Sequence, residues 1–258
     1  MQTATMSTQA PRKGMNKQAA DYGLDAGVAV YAMFIVGLAA ALGGLVLARW
    51  TATGNLGAAH ALQIFGVCCF ILASLMYASS RFGKLRARDR ILARLQLRGD
   101  ETVLDVGCGH GLLLIGAAKL LPRGRAVGVD LWTKDQYDNS REATLRNASL
   151  EGVVQRVSVH DGDMRKLPFA DRSFDAVVAH FAIHNVRNAE GRREVIREIV
   201  RTLSPGGKVA ISDIFSLHLY ADELRKSDMI DVEISDLSFW TFPPARTVTA
   251  RKHAQPGR

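Results

Sequence analysis

Two long stretches without a charged residue dominate the first third of this 258-residue chain. Ala26 to Ala48 gives 23 positions without Asp, Glu, Lys or Arg, and Thr51 to Ser80 gives 30 more. At about 1.5 Å per residue, a helix over the first would span roughly 35 Å, against a bilayer hydrocarbon core of about 30 Å. Neither stretch has a polar face, so a soluble helical hairpin would leave its apolar sides in water. A secretory leader has a shorter apolar region, about 7 to 15 residues, and no second one directly behind it. The expectation is therefore a transmembrane helical hairpin over residues 23–80. The pairs Gly37 with Ala41 and Gly57 with Ala61 would let its helices approach closely.

The connection from Arg49 to about Asn55 is short, which makes the helices antiparallel and puts both outer ends on one side. Arg12, Lys13 and Lys17 flank the first helix, and a dense basic run flanks the second. In that run Arg81, Lys84, Arg86, Arg88, Arg90, Arg94 and Arg98 surround one acid, Asp89. The positive-inside bias then places both ends in the cytoplasm, beneath an inner or cytoplasmic membrane, with Arg49 alone arguing the other way. Residues 1–22, acid-free up to position 20, read as a polar, disordered lead, and 81–100 as a basic juxtamembrane helix.

The net charge of +8 divides evenly, +4 through residue 85 and +4 over the remaining 173. Such a mild excess on the soluble part is no nucleic-acid footprint, which counts against an RNA-modifying enzyme. Cys68, Cys69 and Cys108 fit neither a disulfide framework nor a metal-ligand spacing, so no metal is expected.

From residue 101 the pattern changes. Strand-like runs at Thr102–Val106, Arg125–Asp130, Arg156–His160, Phe174–Ala179 and Lys208–Asp213 alternate with helical patterns near Leu112–Leu121, Ser140–Leu150 and Gly191–Leu203. Pro122-Arg123-Gly124 and Ser204-Pro205-Gly206-Gly207 are read as turns that end helices. One helix is expected within Ile214–Ile230, and Asp231–Phe239 and Arg246–Arg251 could add two strands. The fold class is α/β: a doubly wound, mostly parallel seven-stranded sheet over residues 101–258, behind the membrane hairpin.

In such a sheet the ligand lies beyond the carboxyl ends of the strands. There Gly107, Gly109 and Gly111 give G-x-G-x-G in VLDVGCGHG, with Leu112 where a dinucleotide fingerprint wants Gly or Ala. Asp130 ends the second strand 19 residues beyond Gly111, where a carboxylate can hold both hydroxyls of a ribose. Asp163 is a third strand-end acid.

Here the chain resembles a known family. The segments VLDVGCGHG, GVDL, GDMRKLPFADRSFDAVVAHFAIHNV and LSPGGKVAISD are similar, in order and spacing, to class I S-adenosylmethionine (SAM)-dependent methyltransferases. The small-molecule group with the ubiquinone and menaquinone C-methyltransferases is nearest in character. The resemblance implies SAM as cofactor and a Rossmann-like methyltransferase fold. It implies that Gly107, Cys108, Gly109 and Gly111 make room for the amino-acid part of SAM and that Asp105 orients its ammonium. Asp130 with Leu131 would hold the ribose, Asp163 with Met164 the adenine, and the turn at His180 the methionine end.

SAM has no phosphate, and no P-loop lysine follows the glycines. Three carboxylates also suit a cationic ligand. A nicotinamide oxidoreductase would share the sheet and Asp130, but Leu112 and the Asp163 segment speak against it.

His184 and Asn185 are the candidate catalytic residues, the histidine as a general base. His160 and the imidazole of His180 are read as structural. The loop LWTKDQYDN, with Trp132, Asp135 and Tyr137, is either an acceptor wall or a solvated loop, and Asn139 with Glu142 is placed as a capping box for the helix behind it. Metalloid methylation calls on several thiolates, and only Cys108 lies outside the membrane segments. The tail leaves no insertion to cover an acceptor, so the cover must come from Trp132–Asn139, from Arg81–Leu97 or from the bilayer. The function expected is membrane-anchored methylation of a small, amphipathic or lipid-like acceptor. The alternatives are a small soluble amine or thiol, and a non-catalytic SAM-binding scaffold.

Overall fold

The computed structural model describes residues 19–24, 27–50, 56–132 and 139–254. Two apolar helices, α1 (Gly27–Trp50) and α2 (Leu56–Ala78), lie antiparallel. The helices touch where side chains are smallest. A Cβ on Gly37 would stand 2.9 Å from the Gly66 carbonyl, and one on Gly44 would stand 2.8 Å from the Ala59 carbonyl. The buried stripe is Val30, Gly37 and Gly44 on α1 against Ala59, Gly66 and Ala73 on α2, each repeating every seven residues. Gly37 thus packs as expected, whereas Gly57 faces open space and Ala61 is exposed: the phase of α2 turns the Ala59 stripe inward instead. Large apolar side chains such as Ile35, Ile64, Phe65 and Phe70 point outward and are more than half exposed.

α2 does not end at the domain boundary. One π-helical turn, Ser79–Gly83, carries it directly into α3 (Lys84–Leu95), giving an unbroken helical run from Leu56 to Leu95. A Gly83 side chain would collide with the Trp240 carbonyl, and Phe242 N donates to Ser79 Oγ at 2.7 Å. The junction is therefore clamped by the segment before the last strand.

The rest is a sheet of β1 (Thr102–Val106), β2 (Arg125–Asp130), β3 (Val157–Asp161), β4 (Phe174–His180), β5 (Leu203–Asp213), β6 (Met229–Ile234) and β7 (Arg246–Lys252). Its order is β3-β2-β1-β4-β5-β7-β6, with β7 antiparallel to both neighbours and all other pairs parallel. β1 is buried from Val103 to Val106 because helices cover both of its faces: α4 (Leu112–Leu120) packs with α3 on one side, and α6 (Ala189–Thr202) and α7 (Leu217–Lys226) build the core of the other. The chain reverses its winding between β1 and β4, opening a crevice at their carboxyl ends.

Two punctuation signals resolve differently from expectation. Ser204-Pro205-Gly206-Gly207 is not a free turn but part of β5, where the register jumps from Phe174↔Leu203 to Ala176↔Lys208. The surplus residues are taken up with Gly206 at φ +78°. The capping box at Asn139 and Glu142 is not formed. α5 (Arg141–Leu150) is capped by Ser140, whose Oγ accepts from Ala143 N at 3.1 Å.

The disordered lead proposed for 1–22 does not extend to Ala19–Leu24. Asn147 accepts from Asp21 N at 3.1 Å and donates to Asp21 O at 2.7 Å, while Tyr22 OH donates to Glu151 at 3.1 Å.

Candidate active site

The crevice holds a cavity of about 400 Å³. Its floor is the turn from β1 into α4. Gly107 N donates to Val129 O at 2.8 Å, which pins the loop to the next strand. Gly107 sits at φ +74°, and a Cβ there would lie 2.4 Å from the Ala182 Cβ, so this position admits no side chain. Gly111 also needs a positive φ, +87°, as the first residue of the α4 entry. Cys108 is buried behind the loop with its thiol pushed well up by burial, and Gly128 leaves room for its sulfur. It is a packing residue, not a nucleophile.

Three carboxylates come together on this cavity: Asp105, Asp130 and Asp163 all line it. Asp105 is 2% exposed and accepts from Leu114 N at 2.8 Å, capping α4 from within the core. Burial raises its pKa to about 7, with the nearby Asp130 charge acting in the same direction and the Leu114 bond against it. Asp130 accepts from Gly109 N and from Trp132 N, both at 2.8 Å, one on each oxygen. A carboxylate has about four lone-pair sites, so each oxygen retains one for a ligand. Asp163 is held differently: Arg165 lies across it with Nε and Nη2 contacts of 3.0 and 2.5 Å to Oδ2, which keeps its pKa below the usual range. A ligand amine at Asp163 must share the carboxylate with that guanidinium.

Leu131, Met164 and His180 line the same cavity. The His180 ring stacks on Phe181 at 4.1 Å, and Phe181 is held at φ +52°. Trp132 does not reach the cavity. Its indole Nε1 donates to Asp161 Oδ1 at 2.7 Å across the sheet edge. Asp135 and Tyr137 lie outside the described residues.

Asn185 lines the cavity, whereas His184, next to it, is not among the lining residues and sets its Nδ1 against Asp213. His184 Nδ1 stands 2.6 Å from Asp213 Oδ1. Asp213 is fully buried and also accepts from His184 N, Ile214 N and Tyr220 OH. Burial and the Asp213 charge push the Tyr220 hydroxyl well above its ordinary pKa. An acceptor-only carboxylate fixes the proton on Nδ1, leaving Nε2 with the lone pair of a base.

Sequence reasoning missed Tyr22 and Lys84, which close the cavity from the hairpin side. Lys84 is buried, and its Nζ donates to the Tyr22 and Gly23 carbonyls at 2.8 and 2.5 Å. Asn139, expected as a helix cap at the end of a loop that could cover an acceptor, instead lines the cavity, its Oδ1 buried with no hydrogen-bond partner among the described residues.

Comparison with known proteins shows what this part of the chain is similar to. Residues 104–211 match the family model described as a methyltransferase domain. Over these residues the chain is similar to methyltransferase domains. Over 127 residues the chain is 32% identical to the demethylmenaquinone methyltransferase of Lactobacillus johnsonii, covering 48% of each protein. Over 129 residues it is 34% identical to methyltransferase GfsG of Streptomyces halstedii, covering 50% of this chain and 43% of that one. The chain thus spans about half the length of these curated relatives. Among solved structures, the [4+2]-cyclase SpnF superposes with a TM-score of 0.54 at 20% identity, covering 66% of this chain and 82% of that one. This likeness concerns the fold alone, and a chain titled for cyclisation shows that the fold does not fix the chemistry.

The cavity's residues fit SAM. The backbone at Gly107 leaves no room for a side chain, and a buried acid near neutrality awaits a cation. Ionising Asp105 costs stability in the empty protein: its folded pKa lies above the unfolded value of about 3.9, so its contribution declines as pH rises toward 7 and is flat beyond. A cationic ligand reverses this by favouring the carboxylate. SAM affinity should therefore rise with pH through about 7 and level off above. Calorimetry at pH 6.5 in buffers of different ionisation heat should show proton release on SAM binding, absent in Asp105→Asn. Equal heats in all buffers for the unsubstituted chain would remove this role for Asp105.

Proposed function

We propose that the chain is a membrane-anchored methyltransferase that moves a methyl group from SAM to a small amphipathic acceptor drawn from the bilayer, such as a quinone-like molecule. The observation that carries this reading is that Tyr22 and Lys84 both line the cavity. Tyr22 lies five residues before α1, and Lys84 begins α3 directly behind the π-helical turn that continues α2. The cavity mouth therefore sits at the base of the hairpin, where a molecule leaving the lipid would meet it.

The outward apolar faces of α1 and α2 favour a lipid surround over water. The basic residues on both outer flanks favour the cytoplasmic side for the domain. The demethylmenaquinone methyltransferase among the relatives is named for a quinone-type acceptor, which agrees with this choice.

In this reading Gly107, Gly109 and Gly111 admit the amino-acid end of SAM, Asp105 its ammonium, Asp130 the ribose hydroxyls, and Asp163 with Met164 the adenine. SAM supplies an electrophilic methyl on a sulfonium. Phe181 and Phe215 flank His184, with ring centroids at 6.4 and 5.2 Å, and offer apolar surfaces for an acceptor ring. His184 Nε2 takes the acceptor's hydroxyl proton as that oxygen or its conjugated carbon becomes nucleophilic, and Asp213 positions the imidazole. Asn185 faces the cavity as a hydrogen-bonding group for the acceptor.

The test supplies labelled SAM to the full chain in nanodiscs of native lipid and, separately, to the full chain in detergent with a water-soluble metabolite extract. Label is expected in an organic-extractable product from the nanodiscs, identified by mass spectrometry. Label confined to water-soluble metabolites of the detergent sample, with none in the lipids of the nanodiscs, would overturn the membrane acceptor.

A further inference from the structure

A second cavity, of about 260 Å³, lies between α3 and the segment joining β6 to β7. It shares no lining residue with the cofactor cavity. One wall is helical. Arg90 and Arg94, one turn apart on α3, both line it. The facing wall bears hydroxyls, among them Ser238, Thr241 and Thr247.

One feature of this cavity lacks an internal explanation, and beside it two exposed arginines are free of ion pairs among the described residues. Thr241 is 3% exposed, yet its Oγ1 has no hydrogen-bond partner among the described residues. A hydroxyl taken out of water and left unbonded is costly, and such groups are rare unless something outside the chain meets them. Arg94 enters no ion pair among the described residues, and Arg90 is engaged only by the Trp240 ring, 5.1 Å from its centroid. Asp236 stands in the same lining and has drawn neither arginine into an ion pair. Arg81 and Arg88 do form ion pairs, with Asp21 and Asp89, while Arg86 rests on Trp240 as Arg90 does.

The cavity is also placed for an amphipathic visitor. Leu237 and Phe239, on its outer segment, and Phe82, at the end of the hairpin, are 44%, 77% and 66% exposed. Trp240 is stacked beneath both Arg86 and Arg90 while its carbonyl abuts Gly83. Apolar side chains thus ring a basic, hydroxyl-lined recess beside the foot of α2.

We propose that this recess is a binding site for a phosphate group, held by the Arg90 and Arg94 guanidiniums and accepting a hydrogen bond from Thr241 Oγ1. Two forked donors one helical turn apart match the spread of phosphate oxygens, and a buried hydroxyl gives the third contact. The phosphate belongs either to an anionic phospholipid head group or to a free phosphate. The site stands independently of methyl transfer, because none of its residues lines the SAM cavity.

The full chain in non-ionic detergent micelles should bind inorganic phosphate saturably by ³¹P NMR line-broadening titration. Arg94→Gln should weaken this about 10-fold or more, since a charge-assisted contact is lost. The near-isosteric Thr241→Val should weaken it about 3-fold to 10-fold. Arg123→Gln, a surface arginine elsewhere, should leave it unchanged, and retained SAM binding shows that each variant is folded.

Repeating the titration in micelles containing phosphatidylglycerol separates the sources. If the lipid raises the apparent phosphate Kd of the unsubstituted chain but not of Arg94→Gln, the head group is the occupant. An unchanged Kd assigns the site to a free phosphate. Phosphate binding that is absent, or indifferent to both Arg94→Gln and Thr241→Val, overturns the proposal.

Discussion

In the chain carrying His184→Ala, methyl transfer at pH 7 is expected to slow by about 100-fold to 10,000-fold, the range a positioned general base supplies, while SAM affinity stays unchanged. The second half follows from geometry, because His184 is not among the residues lining the cavity. Asp213→Asn should act through the histidine. The amide can donate to Nδ1 and so favour the tautomer with its proton on Nε2, which cannot accept one. Its signature is a fall in kcat that substrate concentration does not repair, with the pH-rate profile losing its histidine limb. Tyr220→Phe, which leaves three of the four Asp213 partners in place, should cost far less. If His184→Ala retains full kcat across pH 6 to 9, the acceptor is activated without a base and only the in-line approach to the sulfonium remains as the source of rate.

Removing the ribose partner should have the largest effect on binding. Asp130→Ala loses two hydrogen bonds to the ligand, and at roughly 1 to 1.5 kcal/mol net for each, SAM affinity should fall about 30-fold to 150-fold. The same carboxylate organises the protein, accepting from Gly109 N and Trp132 N, so part of the loss arises from a loosened glycine loop. Asp130→Asn separates the contributions, since its one remaining oxygen can serve only part of that set. Calorimetry that finds SAM binding unchanged in Asp130→Ala would exclude Asp130 as the ribose anchor.

What the sequence disclosed follows the range of the interactions involved. The β1 turn, its glycines and Asp130 are legible because strand, turn and strand-end acid are separated by few residues and each leaves a local mark. Gly107 also depends on Ala182, a contact across the sheet, but its positive φ already required glycine. Tyr22 and Lys84 left no such mark. Their place in the cavity rests on hydrogen bonds spanning 61 and 62 positions, and their segments carry the stronger signals of an apolar hairpin and a basic run.

Other departures have local physical causes. On α2 the small residues Gly57 and Ala61 competed with Ala59 and Gly66, and only the rotation of the packed pair chooses between them. Pro205, Gly206 and Gly207 have the composition of a turn, but strand pairing on both sides pulls them into a bulged edge of β5. Trp132 was an aromatic in an unexplained loop, and Asp161 on the adjacent strand took its indole N–H. Asp213 was visible as the last residue of a strand, yet its role depends on a histidine 29 residues earlier in the chain.

The Lys84 ammonium, bonded at once to the carbonyls of Tyr22 and Gly23, joins the approach to α1 with the exit from α2 across the wall of the SAM cavity. Separating the two helices would therefore strain these bonds and the part of the wall they hold. Whatever free energy a bound SAM gains from the closed wall must reappear as resistance of the helix pair to separation, since linkage acts equally in both directions. If the helix pair lies in a bilayer, as proposed, it would act as a gauge as well as a tether: bilayer thickness or lateral pressure that splays α1 from α2 would be read out as weaker hold on the methyl donor.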